Sequence, residues 1–297
     1  MFLIVGTAFA AVLGLAFGSF LNVCATRWPA DESVAAPRSH CRSCGRTLRW
    51  WENVPVASWL VLRGRCRTCR AWIGWRYPLV ELSVAALWAD SAWEFLSLLG
   101  TPNLSQADFY AALVTMLGRM LLFWLLVALA VLDAENFWLP DLLTWPGIVL
   151  GFGYTVLQAH FSQRPPLMPA AVRGGVASAA VISLISIVAA AGLILVIRFI
   201  YRLARHQEGI GLGDAKLMAL LGAWLGFPQA VLAFVLAVLV GAVVATFLLA
   251  VLSRRKSGVA WGRTMLPLGT FLCIGGIVSA LWGEPLIAAY LHWTGFY

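Results

Sequence analysis

Hydropathy along this chain runs in blocks, long apolar stretches alternating with short polar breaks. The blocks predict membrane spans over roughly 2–24, 78–99, 111–132, 142–161, 174–200, 214–226, 228–252 and 264–282. A run of roughly 20 apolar residues crosses about 30 Å of hydrocarbon as a helix. A helix also satisfies its own backbone polar groups where no water is present. The pattern therefore predicts an all-α polytopic membrane protein with about eight transmembrane helices. The sixth is short, and Gly226-Phe227-Pro228 parts it from the seventh with a helix-breaking turn. Only 25–77 is a sizeable polar interruption. The expected organisation is a first span over 1–24, a small zinc-ribbon-like cytoplasmic insertion over 25–77, and a transmembrane core over 78–297.

Composition agrees: 61% hydrophobic residues, 11% charged, mean hydropathy +0.85. No Lys or Arg precedes the first apolar segment, and Arg27 follows it. Without a basic leading region, it reads as an uncleaved first span rather than a signal peptide. Charge sets the orientation. Ten arginines lie in 25–77, joined by Arg202 and Arg205 and by Arg254, Arg255, Lys256 and Arg263. These sixteen residues fall on alternate connections, whereas the opposite connections carry only Arg164 and Arg173. The positive-inside rule then makes the basic side cytoplasmic and puts the N-terminus outside. Membrane topology alone accounts for the net charge of +8, with no nucleic acid required. The interfacial aromatics Trp50, Trp51, Trp59, Trp72, Trp75 and Tyr77, with the arginines, suit contact with anionic lipid headgroups.

Two acids interrupt this pattern at informative places. Asp133 stands in Leu132-Asp133-Ala134-Glu135 and Asp214 in Gly211-Leu212-Gly213-Asp214, each where an apolar run meets a polar break. Two spans lie between them, so both carboxylates return to one membrane face, the cytoplasmic one. A carboxylate near hydrocarbon costs about 2.5–3.5 kcal/mol on insertion scales. Two at one face suit an aspartyl protease, in which an acid and a carboxylate share a proton and activate water. Helix capping, a polar cavity, or a transporter or channel would also place acids there.

The insertion has chemistry of its own. Cys41-Arg42-Ser43-Cys44 and Cys66-Arg67-Thr68-Cys69 are two C-x-x-C pairs separated by twenty-one residues. Four thiolates in two tight turns suit tetrahedral structural zinc, and Gly45 and Arg70 stand where each turn leaves the metal. Fifty residues hold too little apolar core to fold easily alone, so a metal staple makes physical sense. Disulfides or a redox pair are the competing readings. His40 adjoins Cys41 as a further ligand candidate, while Cys24 and Cys273 lie in apolar runs as packing residues.

In this order, the motifs resemble the type IV prepilin leader peptidases that are also N-methyltransferases, along nearly the whole chain. Gly18-Ser19-Phe20-Leu21-Asn22-Val23 with Arg27 and Pro29 is similar to the family's first span. Trp51-Glu52-Asn53-Val54-Pro55 lies between the cysteine pairs, and Arg76-Tyr77-Pro78-Leu79-Val80-Glu81 resembles the start of its second span. Asp133-Ala134-Glu135 through Leu139-Pro140-Asp141 resembles the first catalytic motif. Glu208-Gly209-Ile210-Gly211-Leu212-Gly213-Asp214-Ala215-Lys216 resembles the second, of G-x-G-D type. Glu135 departs modestly, standing where members often have aspartate.

The resemblance implies an enzyme of the bacterial inner membrane serving type IV pili or type II secretion. Asp133 and Asp214 would form the dyad, removing basic leaders from prepilins and pseudopilins after a glycine. S-adenosylmethionine would then methylate the new amino terminus, with Glu81 a candidate in that transfer. A peptidase without methyltransferase activity remains the near alternative. Gly211 and Gly213 would let the backbone and a substrate strand approach closely. Asp141 reads first as a helix-start residue, Glu135 as a polarising or solvated acid, and Lys216 as pairing with an acid or reaching headgroups. Asp90 and Glu94, one turn apart, approach the outer face, and Arg119 seeks a polar cavity or an acidic partner.

Overall fold

A computed structural model describes residues 1–102, 104–161, 175–205, 211–254 and 266–295. Arg164, Arg173, Glu208, Gly209, Ile210, Arg255, Lys256 and Arg263 lie outside the described residues. Among the described residues, nine α-helices follow in order: α1 Phe2–Arg27, α2 Ala57–Val61, α3 Arg76–Leu98, α4 Gln106–Asn136, α5 Asp141–Phe161, α6 Val176–Arg205, α7 Leu212–Leu225, α8 Phe227–Arg254 and α9 Leu268–Thr294. Chain contacts divide the protein into an N-terminal unit, Met1–Ala128, and a C-terminal unit, Leu129–Tyr297.

The all-helical, multi-pass membrane fold stands; the count of eight spans is not confirmed. Among the described residues, six helices are long and apolar enough to cross a membrane: α1, α4, α5, α6, α8 and α9. Arg76, Glu81, Asp90 and Glu94 interrupt the apolar character of α3. The fourteen-residue α7 reaches only about 21 Å at 1.5 Å per residue. Eleven of its fourteen residues are buried, from Asp214 to Leu225. Its apolar character all round reflects a central position in the C-terminal unit, packed by α5, α6, α8 and α9. Gly226, at φ +80°, ends it and turns the chain into α8.

In the N-terminal unit, α1 lies directly on α3. A Cβ at Gly14 would sit 2.7 Å from Ala85 Cα, and one at Gly18 would sit 2.7 Å from Glu81 Cα. This is small-residue packing between helices, where van der Waals contact replaces the hydrophobic drive that lipid removes. Asn22 Nδ2 donates to Tyr77 O at 3.1 Å, fixing the same pair at its polar end. At the other end, Arg119 of α4 forms ion pairs with both Asp90 and Glu94, so these acids have the cationic partner expected of Arg119.

Candidate functional site

Asp133 sits in the last turns of α4, 6% exposed. Its carboxylate meets the first turn of α9, a contact 137 residues away in sequence. Thr270 N–H donates to Asp133 Oδ2 at 2.6 Å and the Thr270 hydroxyl lies 3.1 Å from the same oxygen. A first-turn N–H has no partner inside its own helix, so Asp133 caps α9 from a different helix. Its charge also lies at the positive end of the α9 dipole. Thr270 Oγ1 stands 3.1 Å from Ala130 O as well, one turn before Asp133.

Asp214 holds the equivalent place at α7. It is the third residue of that helix, and its Oδ2 reaches back to accept Gly211 N–H at 3.1 Å. This is the acidic half of a capping box, with glycine at the cap supplying only the N–H. Like Asp133, Asp214 is largely buried, at 9% exposure, beside a helix N-terminus.

Leu139 connects the two acids. A Cβ at Gly213 would sit 3.2 Å from the Leu139 side chain. A Cβ at Gly269 would sit 3.1 Å from the same side chain and 2.9 Å from the Asp133 carboxylate. Glycine is required at 269 because any side chain would enter the space that Asp133 occupies. The two aspartates selected from the sequence therefore share one end of the C-terminal unit.

The supporting residues separate by role. Asp141 opens α5 and forms an ion pair with Lys216 of α7, which ties the starts of those helices together. Gly211 caps α7 and Gly213 is its second residue. Glu135 is exposed near the end of α4. Thr270, Gly269 and Leu139 were not singled out from the sequence as site residues. The available signal was Pro267-Leu268-Gly269-Thr270, a proline-led start to an apolar run. The hydropathy boundary at 264 obscured it, because α9 begins at Leu268 and continues to Thr294.

The N-terminal unit holds a second site. The Sγ atoms of Cys41, Cys44, Cys66 and Cys69 all lie within 4.8 Å of one another, with Cys41 and Cys69 at 3.7 Å. Tetrahedral zinc with Zn–S bonds of about 2.3 Å requires sulfur–sulfur edges of about 3.8 Å. The donor set fits that ion.

The two knuckles repeat one backbone plan. Cys41 N–H donates to Arg46 O at 2.9 Å and Gly45 N–H to Cys41 O at 2.8 Å. In the second knuckle, Cys66 N–H donates to Ala71 O at 2.9 Å and Arg70 N–H to Cys66 O at 3.0 Å. Gly45 and Arg70 have φ of +69° and +58°, the left-handed turn each loop needs. All four cysteines are free thiols. His40 instead places Nδ1 3.2 Å from Arg38 O, outside the thiol group.

Around the knuckles, Arg46 donates to Glu52 Oε1 at 2.7 Å and Arg49 N–H to Glu52 Oε2 at 2.8 Å. The Arg46 guanidinium, with the Arg49 N–H, holds the Glu52 carboxyl below its ordinary range. Backbone N–H groups of Cys69 and Thr68 lower the Cys66 thiol to about 6, whereas burial and the neighbouring thiols push Cys69 up to about 11. Trp59 packs against Trp75 and Trp72, at 4.4 and 5.9 Å between ring centroids. Trp59 is half-buried in this cluster, while Trp72 and Trp75 are exposed.

Glu81 is buried at the start of α3. Its Oε2 accepts Val56 N–H at 2.7 Å. Arg27 of α1 donates to Ser33 O at 2.8 Å and to Pro37 O at 2.6 Å.

Fold and site define a polytopic helical membrane protein with paired carboxylates at helix N-termini, the class that includes intramembrane aspartyl hydrolases. Residues 12–95 match the Bacterial Peptidase A24 N-terminal domain, and residues 120–246 match the Type IV leader peptidase family. Proteins named prepilin leader peptidase/N-methyltransferase align over nearly the full length. That of Pseudomonas putida is 35% identical, over 97% of this chain and 94% of its own. Its Pseudomonas aeruginosa counterpart is 33% identical, over 96% and 93%. A Burkholderia pseudomallei protein is 37% identical, over 94% and 86%. No solved structure gives a significant match. The chain belongs to the type IV leader peptidase family.

Proposed function

We propose that the protein cleaves the basic leaders of type IV prepilins and pseudopilins and then N-methylates the exposed amino terminus. The single observation that carries the peptidase reading is the placement of Asp133 and Asp214. Each is held through Oδ2 beside a helix N-terminus, and Leu139 packs between their glycine neighbours. The hydrogen bonds that Thr270 and Gly211 donate fall on Oδ2 in both acids, and in the proposed mechanism the other carboxylate oxygens serve water and substrate.

One carboxylate takes the proton of a water bound between them, and the other, protonated, hydrogen-bonds the scissile carbonyl. The hydroxyl oxygen forms the new C–O bond, the carbonyl electron pair moves to oxygen, and the acid proton follows it. Collapse of this tetrahedral intermediate breaks the C–N bond, and the amine leaves with a proton returned by the dyad. The chemistry requires no covalent acyl-enzyme. The positive-inside rule supports a site at the cytoplasmic side of a bacterial inner membrane, with the N-terminus outside.

Thr270 and Gly269 position Asp133. Thr270→Val removes the hydroxyl and keeps the N–H. Leader cleavage should fall by about 10- to 100-fold, the range for one hydrogen bond to a charged group. Thr270→Ser should restore most of it, with KM nearly constant across the series. Gly269→Ala should fall further, because its methyl meets the Asp133 carboxylate at 2.9 Å. Wild-type cleavage by both Thr270→Val and Gly269→Ala would remove this support from the site.

The methyltransferase reading rests on family membership and the relatives' names. S-adenosylmethionine supplies the methyl group when bound. Cys41, Cys44, Cys66 and Cys69 hold structural zinc in the insertion that carries Val56, the Glu81 partner. Glu81 is the candidate for preparing the amine in methyl transfer. Glu81→Gln should lower methylation by about 100-fold, the scale of general-base assistance, while leaving leader cleavage near wild type. Blocked cleavage with normal methylation of a pre-cleaved pilin would reverse the assignment.

A further inference from the structure

The short connection between α4 and α5 is tied down at both ends. Phe137, at φ +50°, turns the chain out of α4, and its N–H donates to Asp133 O at 2.9 Å. At the other end, Pro140 O accepts the N–H groups of Leu143 and Thr144, each at 3.1 Å. Asp141 then pairs with Lys216, two residues after Asp214. Leu139 lies within this connection, and the proline that follows confines its backbone to extended conformations. It has little freedom to move, because its neighbours are fastened to the helices that carry both acids.

The Leu139 side chain stands beside both aspartates. Its Cδ1 lies 3.2 Å from the Cβ position of Gly213, the residue before Asp214. The same atom lies 3.1 Å from the Cβ position of Gly269, which is itself 2.9 Å from the Asp133 carboxylate. Leu139 thus fills the space that side chains at 213 and 269 would need. It is half-buried, so part of its surface stays accessible. In hydrolysis the scissile carbonyl lies between the carboxylates, and that carbonyl belongs to the last residue of the leader. The α-carbon of this residue must come to the same place. A side chain on it would meet a leucine that is packed against two glycines and cannot retreat.

We propose that Leu139 is the residue that restricts the last position of the leader to glycine, an inference that rests on the peptidase reading above. The family resemblance implies glycine there, and the packing of Leu139 supplies a cause. The exclusion is by volume, since leucine has no polar group to offer or to refuse. Leu139 has no proton to transfer either, so it governs which residue reaches the dyad and not the chemistry at the dyad. Forcing an extra carbon into a filled site displaces side chains or backbone. In an apolar pocket, one methylene is worth about 10- to 200-fold in kcat/KM. The same scale applies to the β-carbon that separates alanine from glycine.

The test measures kcat/KM of the full-length protein in detergent on one purified prepilin and on its variant with alanine in place of the last leader glycine. Wild type should prefer the glycine substrate by at least about tenfold. Leu139→Ala should narrow that preference by at least about fivefold, and Leu139→Val should narrow it less. Both substrates meet the same preparation, so the ratio does not depend on how much of a variant is folded. An unchanged ratio in both variants, with the glycine substrate still cut, would overturn Leu139 as the selector and leave the peptidase reading intact. Equal cleavage of the two substrates by wild type would have the same consequence. Loss of all cleavage in both variants would make Leu139 a support of the dyad and not a selector, again against the proposal. A wild type that cuts neither prepilin would overturn the peptidase reading and this inference with it.

Discussion

Asp133→Asn and Asp214→Asn should each lower leader removal by about 10³-fold or more, consistent with loss of a general acid or base from a coupled pair. Neither should disturb insertion or detergent stability. Asparagine keeps an oxygen that can accept the Thr270 N–H at position 133 or the Gly211 N–H at position 214. Replacing an acid also removes repulsion between neighbouring buried charges. The expected signature is a protein of normal yield and melting behaviour that binds prepilin and does not cut it. Initial rates on one purified prepilin would check this, with substantial cleavage by either variant removing that residue from the dyad.

Loss of the metal should have the next largest effect, and it should be uneven between activities. Zinc-finger peptides derive about 10–16 kcal/mol of apparent binding free energy from structural zinc, which is inseparable from their folding. The insertion has a three-tryptophan cluster and otherwise little core, so the metal carries much of its order. Cys41→Ser or Cys66→Ser should reduce bound zinc from about one ion per chain toward none and expose 25–77 to protease. Methylation should fall much more than leader cleavage, because Val56 and the Glu81 contact belong to the N-terminal unit and the dyad to the C-terminal unit. Elemental analysis with both assays would decide it. Full methylation by metal-free protein, or a Cys41–Cys44 disulfide in cells, would contradict a structural zinc role.

Much of this organisation was legible in the sequence, for identifiable reasons. Asp133 and Asp214 stand out because acids at the edges of apolar runs are costly. The four cysteines stand out because two C-x-x-C pairs have few other uses on a reducing face. Hydropathy also located the long helices to within a few residues at most ends. It could not distinguish a helix that crosses lipid from one buried by other helices, so α7 read as a span although it has only fourteen residues.

The missed residues share a different cause. Thr270 meets Asp133 across 137 positions, and Gly269 matters only because a carboxylate from another helix fills the space beside it. Hydropathy marks where apolar character begins, not where helical hydrogen bonding begins, and the latter places the Thr270 N–H. Gly14 and Gly18 were closer to legible. Their four-residue spacing is visible in the chain, but its meaning depends on α3 as the partner.

The most direct measurement is the intact mass of a purified prepilin after incubation with the detergent-solubilised protein and S-adenosylmethionine. The expected product has lost its basic leader after a glycine and gained the mass of one methyl group at its new amino terminus. Without S-adenosylmethionine, the same cleaved product should appear without that methyl group. A prepilin returned at full mass, with the enzyme folded and zinc-loaded, would contradict the proposed function.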